Sequence, residues 1–277
     1  MIVQKVLNHN AAIVVDENEE KVAIGSGIAF KKKKHDYINP DHIEKLFVLP
    51  EEQSDPFTHL LESAENWETG LIQNVIFWIE KEYELQLDSH SYALLFDHFI
   101  HLMKRLHHGT HLVNHLLQEI QTLYPDSFHI AERAAAKLSE ESGFSISQDE
   151  TGFLAMHLYA AGQKRTSPKR VRQHTEILNS MVSVMEEDLN TIFPRRTMAY
   201  EGLISHLHVT VKAAELNEAL TKAPAEMIEM MREKYPASYH AAEKAVAVLQ
   251  KEQGLSIPND ESVYIAMHIQ RLLSRTE

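Results

Sequence analysis

Apolar positions follow one rhythm up to about residue 50 and another beyond it. In the first stretch they come as short runs rich in Ile, Val and Ala, Met1–Leu7 and Ala11–Val15, parted by the turn-forming Asn8-His9-Asn10. A polar turn, Asp16-Glu17-Asn18-Glu19-Glu20, leads into a third run, Lys21–Ile24, and Leu46–Leu49 makes a fourth. Four short strands predict a small antiparallel sheet. Fifty residues bury little core, so pairing of two copies is an expected source of further burial. Pro50–Pro56 is acidic and turn-like. From Phe57 onward the period is helical: Leu60, Leu61, Ala64 and Trp67 share one face, as do Leu94, Leu95, His98, Phe99 and Leu102.

The helical part repeats itself. Tyr124–His157 aligns without a gap to Tyr235–His268 at an offset of 111, with 18 of 34 positions identical. Upstream the offset is 108, which pairs Tyr92 with Tyr200 and His98 with His206. The expected architecture is therefore multi-domain: a small antiparallel β module at 1–56, then two homologous all-α helical bundles at 57–168 and 169–277. The basic stretch Gly162–Gln173, with Pro168, is the junction.

Charge changes the picture of the first module. The formal net charge is -13, which argues against a nucleic-acid partner. Residues 1–50, however, carry seven Lys and seven acidic side chains, so the whole excess of negative charge lies beyond them. There are no cysteines, which excludes disulfides and thiolate metal sites and fits a reducing, cytoplasmic location. The N-terminus has no apolar signal core, and no run is long enough to span a membrane.

Each repeat holds two corresponding histidines, His98 and His157, then His206 and His268. His157 and His268 sit on helices that begin after an Asp-Glu pair, acids suited to a first helical turn. Three roles compete. A histidine can bridge two helices structurally. It can ligate a metal, although two per domain fall short of zinc's usual three or four ligands. It can accept a phosphoryl group, since neutral imidazole is a good nucleophile near pH 7. Duplication raises the last two without choosing between them. His107, His111 and His115 recur every four residues, but Gly109 interrupts them and the second repeat lacks them, so a polar helix end or loop accounts for them better than a metal site. No Walker-type loop, G-x-G-x-x-G or H-E-x-x-H is present, and no cofactor is expected.

In the first module, Lys5, Asn8, Asn10, Gly25, Ser26, Gly27, Phe30 and the Lys31–Lys34 run combine amides, close-approach glycines, a stackable ring and cations. Those are tools for reading unpaired RNA bases and neutralising the backbone. Singly, each has a plainer reading as turn, core or solvated loop.

Taken together, Lys5-Val6-Leu7-Asn8-His9-Asn10, Gly25 through Lys33, Asp97-His98 and the two Asp-Glu…His segments resemble the BglG/SacY family of transcriptional antiterminators over essentially the full length. The likeness is nearest to sucrose-type members of Bacillus. It implies a dimeric RNA-binding module that recognises an mRNA leader hairpin overlapping a terminator, and two phosphotransferase-system regulation domains. By position, Lys5, Asn8, Asn10, Gly25, Ser26, Gly27, Phe30 and Lys32 fall where the family contacts RNA, with Ser26 standing where relatives have Arg. His98, His157, His206 and His268 fall at phosphorylation positions. The first pair depends on the sugar-specific permease of the phosphotransferase system and the second on HPr. The implied protein is a regulator and not an enzyme. A DNA-binding regulator with the same helical domains is the alternative, but residues 1–50 contain nothing like a helix-turn-helix. A histidine-dependent metal hydrolase is a third reading, and it predicts bound zinc or manganese.

Overall fold

A computed structural model describes residues 1–16, 19–48, 56–63, 66–163, 166–220, 222–255 and 257–274. The first module is a meander of β1 (Ile2–Asn8), β2 (Ala11–Asp16), β3 (Glu19–Ile24) and β4 (Lys45–Val48), antiparallel throughout and in that spatial order. The strands β2 and β3 run further into the expected polar turn than their composition suggested, pairing as far as Asp16 and Glu19. Leu49 and the expected turn at 50–55 lie outside the described residues.

Pairing of β1 with β2 slips twice. Val3 faces Val14 and Lys5 faces Ile13; then Val6 faces Ala12 and Asn8 faces Ala11. Strand β1 therefore carries two residues, Gln4 and Leu7, that the β2 ladder does not match, the signature of bulges. Their effect is visible in the core. Val3 and Val6, three apart, both pack into one cluster with Ala12, Val14, Ala23, Ile28, Ala29 and Ile38. The alternate residues Ala11, Val22, Ile24 and Phe47 are buried on the other face.

Eleven helices follow among the described residues. They are α1 (Pro56–Ser63), α2 (Asn66–Glu82), α3 (Ser89–His107), α4 (Leu117–Leu123), α5 (Pro125–Ser142) and α6 (Gln148–Gly162), then α7 (Pro168–Leu189), α8 (Met198–Leu216), α9 (Ala225–Lys234), α10 (Pro236–Gln253) and α11 (Glu261–Leu273). Of the face expected for Leu60, Leu61, Ala64 and Trp67, Ala64 lies outside the described residues. Leu61 is fully buried, whereas Trp67 is exposed in the first turn of α2. Helix α3 stops at His107 because Gly109 takes φ +63 and the Gly109 and Thr110 amides close back onto the carbonyls of Leu106 and Arg105. His111 and His115 thus lie in an irregular, exposed stretch and share no helix face with His107.

The chain forms two compact units, residues 1–113 with 129–165, and residues 114–128 with 166–277. In the first, the sheet leans on the helices: the Phe47 ring lies 5.2 Å from Tyr92 of α3, and Lys45 Nζ meets Glu80 Oε1 of α2 at 2.5 Å. Helix α3 packs against α2 and α6. In the second, α7, α8, α10 and α11 bury Leu178, Met181, Tyr200, Leu203, Leu249 and Ile269 in one core. Helix α4 also belongs here, where its buried Glu119 accepts a 2.7 Å hydrogen bond from the Tyr200 hydroxyl. No described helix is long and apolar enough to cross a membrane.

Candidate functional site

The loop after β3 folds back on the β1–β2 turn and gathers most of the candidate RNA residues at one end of the sheet. The Gly25 amide donates to the Asn10 carbonyl, the Gly27 amide to Asn10 Oδ1 at 2.7 Å, and the Ala29 amide to the His9 carbonyl. Gly25 has to be glycine: a Cβ would stand 2.4 Å from the His42 carbonyl oxygen. Gly27 uses its freedom differently, at φ +64 over open space. Phe30 is about half exposed, with the His9 ring edge-on to it at 5.0 Å and Lys31 Nζ above it at 5.2 Å. Ser26, Lys32 and the rest of the lysine run are exposed. Asn8 is different. It is buried, its Oδ1 accepts from the Asn10 amide, and its Nδ2 donates to the Leu61 carbonyl at 2.9 Å. Lys5, on the same strand, meets Glu62 Oε1 at 2.5 Å.

In the first unit His98 of α3 faces His157 of α6, ring centroids 4.2 Å apart. His98 Nε2 and His157 Nδ1 are buried without a hydrogen-bond partner. Burial, reinforced by His157, Arg105 and His101, holds His98 well below the usual imidazole range. Burial alone takes His157 down to about 4. Both rings are therefore neutral at pH 7. Glu150 in the first turn of α6 is almost wholly buried, yet it points to Arg105, which grips it through two bonds of 2.8 and 2.7 Å. Asp97 pairs with the exposed His101 and not with His98.

In the second unit His206 of α8 faces His268 of α11 at 5.2 Å, nearly parallel. The carboxylate here is free to join them. Glu261, the repeat mate of Glu150, is equally buried, accepts from the Thr210 hydroxyl at 3.1 Å, and lies 3.2 Å from His206 Nε2. That approach is of ion-pair length but misaligned for a hydrogen bond, so His206 Nε2 counts as unpaired. Burial, then His206 and Arg271, depresses His268. Gly202, one turn before His206, makes room for the partner ring: a Cβ would touch His268 at 3.4 Å.

The four paired histidines thus meet as two facing dyads. Sequence reasoning missed the groups that distinguish them, Arg105, Thr210 and Gly202. It noticed Glu150 and Glu261 only as helix-starting acids, although their duplication alongside the histidines was a usable signal. It also missed a third contact, His174 Nε2 to His208 Nδ1 at 2.9 Å. Among the described residues no group of three or more His, Asp or Glu side chains is arranged to hold a metal.

Models of known protein families match three stretches of the chain. Residues 1–55 match the CAT RNA binding domain, and residues 73–161 and 179–272 each match the PRD domain. The chain therefore belongs to the BglG family of transcriptional antiterminators, built from one CAT and two PRD domains. It is 30% identical to the PtsGHI operon antiterminator of Bacillus subtilis, over 99% of this chain and 97% of that protein. It is 26% identical to transcription antiterminator LicT of the same organism, over 99% and 100%. A crystal structure of GlcT CAT-PRDI covers 59% of this chain and 98% of its own, with TM-score 0.53 and 32% identity. These names do not carry the sucrose-type likeness expected from the sequence.

Proposed function

We propose that this protein is a cytoplasmic homodimer that binds an mRNA leader hairpin overlapping a terminator and lets transcription continue, under control of histidine phosphorylation by the sugar phosphotransferase system. The RNA module is residues 1–56, and the regulatory domains are 57–168 and 169–277. The observation that carries the reading is the facing of His98 with His157 and of His206 with His268, one dyad per repeat. A phosphoryl group placed on either ring adds about two negative charges to a packed helix pair. That is enough to reset an interface between helices or subunits. His98 and His157 answer to the sugar-specific permease, and His206 and His268 to HPr. The chain is a regulator with no reaction of its own.

Bases would be met by Asn8, Asn10 and Phe30, the backbone by Lys5 and Lys32, with Gly25, Ser26 and Gly27 letting RNA approach the loop. The full chain should shift a leader-hairpin transcript in a gel, with affinity falling as salt rises. Incubation with phosphoenolpyruvate, Enzyme I and HPr should give acid-labile labelling. Absence of RNA binding in both the phosphorylated and unphosphorylated states would overturn the RNA half. Labelling unchanged after replacing all four histidines with Ala would overturn the choice of acceptors.

A further inference from the structure

Three of the eight candidate RNA residues are already engaged, and by helices that lie outside the RNA-binding module. Asn8 has spent its side-chain amide: Oδ1 on the Asn10 amide, Nδ2 on the Leu61 carbonyl. Leu61 lies in α1, so this bond ties the strand to the helix. The next residue, Glu62, holds Lys5 at 2.5 Å. Finally, Gly70 of α2 lies against Asn10, since a Cβ there would come within 2.9 Å of Asn10 Nδ2. The Leu61 side chain beneath these contacts is fully buried.

The geometry points to a built-in latch: we propose that α1 and the first turns of α2 compete with RNA for Asn8, Lys5 and Asn10, so that RNA binding and docking of α1 exclude each other. The inference rests on the RNA assignment above and adds how that face is closed. An amide that reads a base edge needs its donor and acceptor free. Here Asn8 is buried, with Nδ2 on the Leu61 carbonyl, so its donor side reaches a base only when Leu61 is released. Release also parts Lys5 from Glu62 and uncovers an apolar side chain. The latch is thus a cost on RNA affinity that the helical region can raise or lower. Gly70 fits the same logic, because any side chain there would press on Asn10 and loosen the docked state.

The test is equilibrium binding of the unphosphorylated full chain to an in vitro transcript of the leader hairpin. Glu62→Gln removes the ion pair with Lys5 without adding a cation, and Gly70→Ala pushes on Asn10; neither replaces a candidate RNA residue. Each should tighten binding at least fivefold over the unsubstituted chain, and the two together more. Hydrogen exchange in α1 should speed up when RNA is added. Binding of both variants at the unsubstituted affinity, with α1 protection unchanged by RNA, would overturn the latch while leaving the RNA assignment standing. No binding by any of the three chains would sink the RNA assignment and the latch with it.

Discussion

The two histidine dyads descend from one repeated segment, yet they are set up for different chemistry. In the first unit the buried carboxylate, Glu150, is neutralised by Arg105, and the rings of His98 and His157 are left neutral and enclosed. In the second the matching carboxylate, Glu261, accepts from the Thr210 hydroxyl and lies beside His206. Gly202 opens space next to His268. The residues that differ are not the histidines but their neighbours: position 105 is Arg in one repeat, and its counterpart at 213 is Ala. A duplicated site can thus be retuned without altering its nucleophiles, by deciding which partner holds the buried acid.

The sharpest way to break this comparison is to ask which dyad accepts phosphate more readily from HPr. The His206→Ala/His268→Ala chain should lose at least tenfold of its acid-labile label at early times, whereas His98→Ala/His157→Ala should keep most of it. Equal losses would mean that the enclosure of the first dyad does not govern access.

Next in size is Arg105→Ala, which strands the Glu150 carboxylate. It should cost about 3–5 kcal/mol, the usual penalty for breaking a buried pair from one side. Both tryptophans of the chain, Trp67 and Trp78, lie in α2 of the first unit, so urea unfolding followed by their fluorescence reports on that unit. The second unit offers no such pair to break, since the counterpart position 213 is already Ala.

Acid should also separate the units. The folded form holds His157 at about 4, whereas in an unfolded chain it protonates near the ordinary imidazole value of about 6.5. The unfolded state therefore binds the proton first as pH falls. Stability of the first unit is intact above about 6.5, declines down to about 4 and then levels, a loss of about 3 kcal/mol from this residue. Tryptophan-monitored unfolding across that window should show the decline, and His157→Gln should make it shallower, leaving the part due to His98.

The smallest effect expected is that of Thr210→Val, which removes the one hydroxyl bonded to Glu261 at a cost of about 2 kcal/mol. Hydrogen exchange along α11 should accelerate accordingly.

Much of this was written in the sequence, and what was not has physical reasons. Strands and helices announce themselves by local period, and the repeat made the histidine pairing visible without any structure. Arg105 and Glu150 are 45 residues apart on different helices, so no local pattern joins them. Leu61 and Trp67 keep the spacing of one helical face, and only packing shows Leu61 inside and Trp67 outside. The slips in β1 left no mark either, since Gln4 and Leu7 are ordinary strand residues. Asn8 looked like a turn residue open to a ligand, and its bond to Leu61 spans 53 positions.

Those two slips have a consequence for how the N-terminal strand can vary. With a regular pleat, losing one residue reverses every side chain beyond it. In β1 the pleat is already interrupted twice, at Gln4 and at Leu7, so these are the two places where the strand can lose a residue without turning over. Deleting Gln4 alone should leave Val3 opposite Val14 and Val6 opposite Ala12, with both still in the core. Deleting a residue from β2, where every position is matched, should instead reverse the side chains beyond it.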